Sequence, residues 1–196
     1  FNNNQLPDNQ AFIYKRNGDG SEDETTIVSY GGANKNPVIP NNVITISGGS
    51  FATNQLTSVT IPDNVTTIGA WAFGNNQLTS ITIPNGITTI EDNVFHSNKL
   101  TSVIIPEGIT KIGYSAFGDN QLTSVTIPDS VTFIGLYAFQ YNKLKSIVIP
   151  KNVTTIYGAS FANNQLTTVT IPEGVTTIRT NAFNYNQITS ITIPKS

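Results

Sequence analysis

The sequence predicts a β-dominated solenoid of stacked parallel coils, and three observations support this fold class. Phenylalanine recurs every 22 residues from Phe51 to Phe183, and proline keeps the same step from Pro40 to Pro194. Within each unit, β-branched apolar residues alternate with polar ones, which is the pattern of a strand with one buried face. No segment is long enough for a helix of ordinary length. Because one unit cannot bury its own apolar side, we expect the units to stack around a continuous core.

The segment LTSVTIP supplies the predicted strand of each coil. In one copy, Val59 and Ile61 share one side of the strand, and polar Ser58 and Thr60 share the other. The proline that follows, Pro62, has no N–H to donate to a ladder, so it ends the strand and begins a turn. Strands spaced about 4.8 Å apart along seven coils would form a sheet roughly 30 Å long.

The rest of each unit is predicted to bring the chain back to the next strand. VTTIG contains two apolar residues, Val65 and Ile68, whose spacing indicates a short strand with a kink or a tight turn. AWAF then directs Ala72 and Phe73 inward. We expect this segment to form a single helical or 3₁₀ turn.

An asparagine recurs at the corner that follows the phenylalanine. We expect its amide to bond backbone N–H and C=O groups of neighbouring coils that would otherwise lack partners. Its presence in every copy indicates a structural role, because catalytic groups occur once. The column comprises Asn54, Asn76, Asn98, Asn120, Asn142, Asn164 and Asn186.

Residues 1–50 depart from the repeat and are predicted to form an N-terminal cap with a degenerate first coil. FIYKR at 12–16 and TTIVSYGG at 25–32 flank a polar, glycine-containing segment, which is typical of a β-hairpin. Residues 51–196 form the predicted seven-coil array. Isoleucines near its end, such as Ile191 and Ile193, would lie under an open edge, so we hypothesise that the natural protein continues beyond residue 196.

Composition excludes several function classes. The chain of 196 residues has a net charge of −2, from 10 basic and 12 acidic residues, and therefore has no basic field for nucleic acid or anionic lipid. It has no cysteine, and its single histidine, His96, cannot form a histidine zinc site alone. No apolar run reaches the length of a membrane helix. We expect no enzyme activity, no cofactor, no metal and no membrane insertion, and the oligomeric state stays open.

The repeat LTSVTIPDNVTTIGAWAF resembles the BspA-like leucine-rich repeats of bacterial surface proteins. The resemblance covers residues 38–196, and the hairpin at 12–32 is similar to the N-terminal cap of that family. The family often carries a cysteine and one more residue before the next leucine, whereas asparagine occupies that corner here. The resemblance implies a curved, right-handed leucine-rich-repeat solenoid of the α/β horseshoe class. It also implies a secreted or wall-attached protein that adheres to host proteins or other cells.

Two outward-facing columns of the predicted strands form a candidate binding surface on the face expected to be concave. Their side chains are small and uncharged, so a protein surface or an extended polymer would meet little steric hindrance. Ile104 and Val148 interrupt the second column. The candidate ligand-binding residues are Ser58, Thr60, Ser80, Thr82, Ser102, Ser124, Thr126, Ser146, Thr168 and Thr170.

Aromatic side chains at variable positions around the AWAF turn form a second candidate surface. Aromatic residues often carry binding energy at protein interfaces, and they provide stacking faces for sugars. The alternative is that they pack locally over the turn and shield the edge of the core. They are Trp71, Tyr114, Tyr137, Tyr141, Tyr157 and Tyr185.

Two polar features are better explained by structure than by chemistry. His96 occupies a position that holds small or polar residues in other copies, so we interpret it as an exposed surface histidine. The loop with Asp19, Ser21 and Asp23 has oxygen ligands at alternate positions, as calcium loops do, but lacks their distal glutamate.

The leading interpretation is a non-enzymatic, extracellular adhesion or protein-interaction module whose partner is a host-matrix or cell-surface protein. A glycan-binding or wall-associated module that uses the tyrosines is the second interpretation, and a passive spacer that displays another domain is the third. An ice-binding solenoid is the fourth, because Ser-x-Thr columns resemble threonine arrays. The apolar interruptions and a curved face oppose that last interpretation.

Overall fold

The computed structural model describes residues 11–194 and shows a β-solenoid of about eight coils, each of about 22 residues. Within this range the coils consist of short strands and turns, with no helix. The solenoid predicted from the 22-residue repeat is therefore confirmed.

An antiparallel hairpin begins the described chain. It consists of β1 (Phe12–Arg16) and β2 (Glu22–Tyr30). The second strand starts earlier than the sequence predicts, because the acidic segment belongs to the strand and Asp23 lies opposite Lys15. β2 also pairs in parallel with β3 (Thr45–Ile46), which joins the hairpin to the first coil.

Two-residue parallel strands mark the TTI step of each coil. Their apolar members lie in register, with Ile46 opposite Ile68 and Ile90 opposite Ile112. These isoleucines are buried, so the strands form one wall of the core. The strands are β4 (Thr67–Ile68), β5 (Thr89–Ile90), β6 (Lys111–Ile112), β7 (Phe133–Ile134), β8 (Thr155–Ile156) and β10 (Thr177–Ile178).

The segment predicted to be the main strand forms a sparser ladder. β9 (Thr168–Thr170) and β11 (Ser190–Thr192) pair there in parallel. Elsewhere in the described coils, single parallel bridges occur, such as those that join Ile104 to Thr82 and to Thr126. The continuous seven-strand sheet expected at this position is not observed. Proline ends each segment without an N–H, so the ladder cannot extend past that position.

The core is built around a stack of phenylalanine rings. The side chains from Phe51 to Phe161 in this column are no more than 1% exposed. Successive ring centroids lie between 5.2 and 5.9 Å apart, in stacked geometry. Tyr30 of β2 continues the stack, with its ring 5.1 Å from that of Phe51. The hairpin and the coils therefore share one hydrophobic core.

The turn that follows each TTI strand contains two residues in the left-handed region. In one coil these are Trp71, with φ of 62°, and Asn75, with φ of 54°. Bonds from Ala72 N to Gly69 O and from Gly74 N to Trp71 O close two successive tight turns. Because a left-handed residue interrupts a helical run, the predicted helical or 3₁₀ turn is not formed. We call this part of the solenoid the turn side.

Hydrogen bonds between coils run in one direction along the turn side. The N–H of Trp71 donates to Asp92 O at 2.9 Å, and the N–H of Phe73 donates to Val94 O at 3.0 Å. The same pattern recurs in successive coils, always from one coil to the following one. Donors on this side therefore face the C-terminal end of the solenoid.

The corner asparagines bridge neighbouring coils through both ends of the amide. The Oδ1 of Asn76 accepts from Asn54 N at 3.1 Å and Leu56 N at 3.0 Å. Its Nδ2 donates to Phe51 O at 2.9 Å and Phe73 O at 3.0 Å. Asn54, at the start of the column, bonds within its own turn. The bridge to the leucine N–H of the preceding coil recurs at Asn98, Asn120, Asn142, Asn164 and Asn186.

Candidate functional site

The first candidate surface is the Ser/Thr face, which we define as the two outward columns that contain Ser58 and Thr60. All ten residues predicted on it are exposed. The second column also contains Val38, Ile104 and Val148, which are 66%, 85% and 79% exposed. Neither column contains a charged residue. The face therefore presents hydroxyl groups and isolated apolar side chains to solvent, without charge.

The second candidate surface lies on the turn side, where the six predicted aromatic residues line two adjacent grooves. The central groove has a volume of about 540 Å³ and the C-terminal groove about 720 Å³. The aromatic residues of the central groove are Trp71, Tyr114, Tyr137 and Tyr141. Those of the C-terminal groove are Tyr137, Tyr157 and Tyr185. Tyr137 belongs to both, so the fold gathers side chains from distant repeats along one continuous strip.

Four of these aromatic residues occupy the left-handed positions of the turn. The φ angles are 62° at Trp71, 60° at Tyr137, 55° at Tyr141 and 54° at Tyr185. Left-handed backbone disfavours bulky side chains, and the same positions hold asparagine, serine or alanine in other coils. The backbone does not require an aromatic ring there. The rings are therefore a property of this surface rather than of the repeat.

The aromatic rings also pack against their neighbours. The rings of Tyr114 and Tyr137 lie 5.4 Å apart in an edge-to-face arrangement. Tyr141 and Tyr185 remain 57% and 73% exposed. Local packing thus orients part of the set, while these two tyrosines offer open ring faces at the grooves.

His96 lies in the central groove and differs from its sequence interpretation. It is half-buried rather than exposed, because its ring packs edge-to-face on Trp71 with centroids 5.4 Å apart. Its Nδ1 lies 3.0 Å from the Oγ of buried Ser115. In residues 11–194 no carboxylate bonds the other ring nitrogen. The pair therefore lacks the orienting acid of a catalytic triad.

The acidic hairpin loop uses its carboxylates for internal bonds. The Oδ1 of Asp19 accepts from the N and the Oγ of Ser21 at 2.9 and 2.7 Å, and these bonds lower the pKa of Asp19. The Oδ1 of Asp23 accepts in the same way from Thr25. Across the described residues, no group of three or more histidine, cysteine or acidic side chains could hold a metal.

The sequence interpretation missed the polar lining of the C-terminal groove. Arg179 lies in that groove and is exposed. The amide side chains beside it are Gln140, Asn163, Asn181 and Asn184. They occupy the same variable turn as the aromatic residues. A comparison of that turn between the copies of the repeat would therefore have identified these polar residues as well.

The repeat of this chain matches a known protein family. A model of the BspA type leucine-rich repeat region matches residues 29–145 and 133–196, with six copies. The chain belongs to the BspA-type leucine-rich repeat family. The resemblance seen in the sequence is therefore confirmed. No curated protein matches the chain.

Several solved structures share the fold of this BspA-type chain. A leucine-rich repeat protein from Bacteroides ovatus is 24% identical with a TM-score of 0.81, over 94% of this chain and 52% of that one. The Treponema pallidum leucine-rich repeat protein is 24% identical with a TM-score of 0.69, over 93% and 83%. A leucine-rich cell surface protein from Faecalibacterium prausnitzii is 23% identical with a TM-score of 0.57, over 94% and 75%. This chain thus spans about half the length of the Bacteroides ovatus protein.

Proposed function

We propose that this BspA-type chain is a non-enzymatic, extracellular protein-interaction module that binds a host-matrix or cell-surface protein through the Ser/Thr face. In this proposal residues 1–50 act as the cap, and residues 51–196 are the array that presents the face. The observation that carries it is the exposure of apolar side chains on an uncharged surface, with Ile104 85% and Val148 79% exposed. A partner that covers these side chains removes their apolar surface from water, and no charged group on this face has to lose its hydration.

The fold and the family support a binding role. Solenoids present extended surfaces that other proteins use for recognition, and a leucine-rich repeat solenoid typically serves as a non-enzymatic scaffold. One structural neighbour is described as a leucine-rich cell surface protein. No helix in the described residues is long and apolar enough to span a membrane. An extracellular or wall-attached location, with adhesion as the outcome, belongs to the same proposal.

The test is surface plasmon resonance of the purified chain against enzymatically deglycosylated extracellular-matrix proteins. We expect saturable binding to at least one of them. The double variant Ile104→Asp, Val148→Asp should weaken this binding at least tenfold, because it places two charges in the contact. The control variant Tyr141→Asp adds a charge on the turn side and should bind like the wild type. Equal losses in both variants, or no binding by the wild type, would refute the proposal.

A further inference from the structure

We propose that the C-terminal groove is a binding site for a carboxylate-bearing sugar residue of a glycan. The groove lies on the turn side, in the coils that contain Tyr137, Tyr157 and Tyr185. It does not include the Ser/Thr face, so this site adds to the protein-binding function proposed above. Its support comes from the shape, the charge and the chemistry of the groove.

The shape results from a coil with small residues between two coils with larger ones. Gly158 and Ala159 stand where the preceding coil has Leu136 and Tyr137. The following coil has Thr180 at the position of Gly158. The missing side chains leave a notch, and the groove around it has a volume of about 720 Å³. This volume lies within the range of about 300–1,000 Å³ typical of small-ligand sites.

The charge of the groove favours an anion. Arg179 is the one charged residue among the described residues that line it. The side chain is exposed, and the ion pairs of residues 11–194 do not include it. A guanidinium presents its N–H donors as a planar fork that matches a carboxylate. Arg179 is therefore available to a carboxylate that enters the groove.

The remaining lining fits a sugar ring. Tyr185, which is 73% exposed, provides an open aromatic face of the kind that packs against the C–H face of a pyranose ring. Tyr157 is half-buried, with its ring 5.0 Å from that of Phe133, and it extends this aromatic lining. The amides of Gln140, Asn163 and Asn184 each both donate and accept hydrogen bonds, as sugar hydroxyls do. An acidic peptide would also bond the arginine and, through its backbone, the amides, but an aspartate or glutamate has no ring C–H face to pack on the tyrosines. A pyranose ring that carries a carboxylate would engage the arginine, the amides and the tyrosines together.

The first experiment compares ligands by isothermal titration calorimetry and saturation-transfer NMR with the full chain. The acidic probes are sialyllactose and a disaccharide that contains glucuronic acid, which separate the two common sources of sugar carboxylates. Lactose is the neutral control, and a glutamate-containing tripeptide tests an acidic peptide. We expect at least one acidic sugar to bind at least tenfold more tightly than lactose and than the tripeptide.

Variants then locate the site. Arg179→Gln should reduce acidic-sugar affinity at least tenfold, and Arg179→Lys should retain part of it. Ala159→Tyr should abolish binding because it fills the notch; Tyr137 has φ of 60° at the equivalent position, close to the 52° of Ala159, so the turn accepts tyrosine. Lys143→Gln removes a cation that does not line the groove and should change nothing.

Three results would overturn the site. The first is that lactose or the tripeptide binds as tightly as the acidic sugars. The second is that neither acidic sugar binds at millimolar concentration. The third is that the Arg179→Gln variant binds the acidic sugar as tightly as the wild type does. Because Arg179 is exposed, that variant tests the site even where Ala159→Tyr lowers the melting temperature. Sugar binding by Ile104→Asp, Val148→Asp should stay intact, which separates this site from the protein-binding proposal.

Discussion

Replacement of Asn120 by alanine tests the asparagine column, since this residue lies mid-array. The Oδ1 of Asn120 accepts from Leu100 N at 3.0 Å, and its Nδ2 donates to Phe95 O at 2.9 Å and Phe117 O at 3.2 Å. The side chain is buried, with 7% exposure. Asn120→Ala removes these bonds without giving water access to the groups left behind.

The expected loss follows from which backbone groups keep a partner. The N–H of Leu100 loses its acceptor, and a buried unsatisfied donor costs about 1–3 kcal/mol. Phe95 O keeps the Nδ2 of Asn98 at 3.2 Å, and Phe117 O keeps that of Asn142 at 2.9 Å. Because each of these two carbonyls keeps one partner, each loses about 0.5 kcal/mol, at the low end of the net value of a hydrogen bond, and together they lose about 1 kcal/mol. We therefore expect Asn120→Ala to lower the free energy of unfolding by about 2–4 kcal/mol.

Urea denaturation followed by far-UV circular dichroism measures this loss. The control is Asn85→Ala, which changes an exposed asparagine of the turn after Pro84 and should alter stability by no more than about 0.5 kcal/mol. A loss for Asn120→Ala as small as that of the control would refute the reasoning, because Leu100 N would then have found another acceptor.

Two further predictions concern the core and a surface ion pair. Phe117→Ala should lower the free energy of unfolding by about 3–5 kcal/mol in the same assay, because the ring is fully buried between two others; a loss below about 1 kcal/mol would contradict the stacked core. The Lys151 ammonium, 2.9 Å from Asp129, hydrogen-bonds that carboxylate and holds the pKa of Asp129 below its ordinary value. The pair therefore adds stability above the unfolded-state pKa and loses it as the pH falls through the folded-state pKa. NMR titration should show the Asp129 pKa rise in Lys151→Ala, and an unchanged value would contradict the pairing.

The apolar columns were predictable from the sequence because stacking places every copy of a residue in the same environment. Phe51 to Phe161 are buried for this reason. The choice between the two candidate strand segments was not predictable from propensity, since VTI and TTI are both rich in β-branched residues. Hydrogen bonds between coils decide it, and they depend on contacts distant in sequence. The same bonds hold Trp71 and Tyr137 in left-handed backbone that local rules reserve for glycine and asparagine.

The candidate sites also differ in how far they could be predicted from the sequence. The aromatic residues could be found from the sequence because they vary where the core does not. The C-terminal groove could not, because it arises from side chains that are small at Gly158 and Ala159 relative to the coils on either side. Such a difference in side-chain size can be recognised as a cavity only when the register between coils is known.

The hydrogen bonds of the turn side run in the same direction at each boundary between coils. On the turn side, a division between two coils leaves donors on one rim and acceptors on the other, as the bonds from Trp71 to Asp92 and from Phe73 to Val94 illustrate. At the opposite side of the coil the roles are reversed, as in the bond from Gln77 N to Leu56 O. Each rim therefore complements the other in both donors and acceptors. One whole 22-residue unit can therefore be inserted or removed without reversing any bond. Duplication of the unit therefore lengthens the solenoid and preserves its pattern of backbone hydrogen bonds.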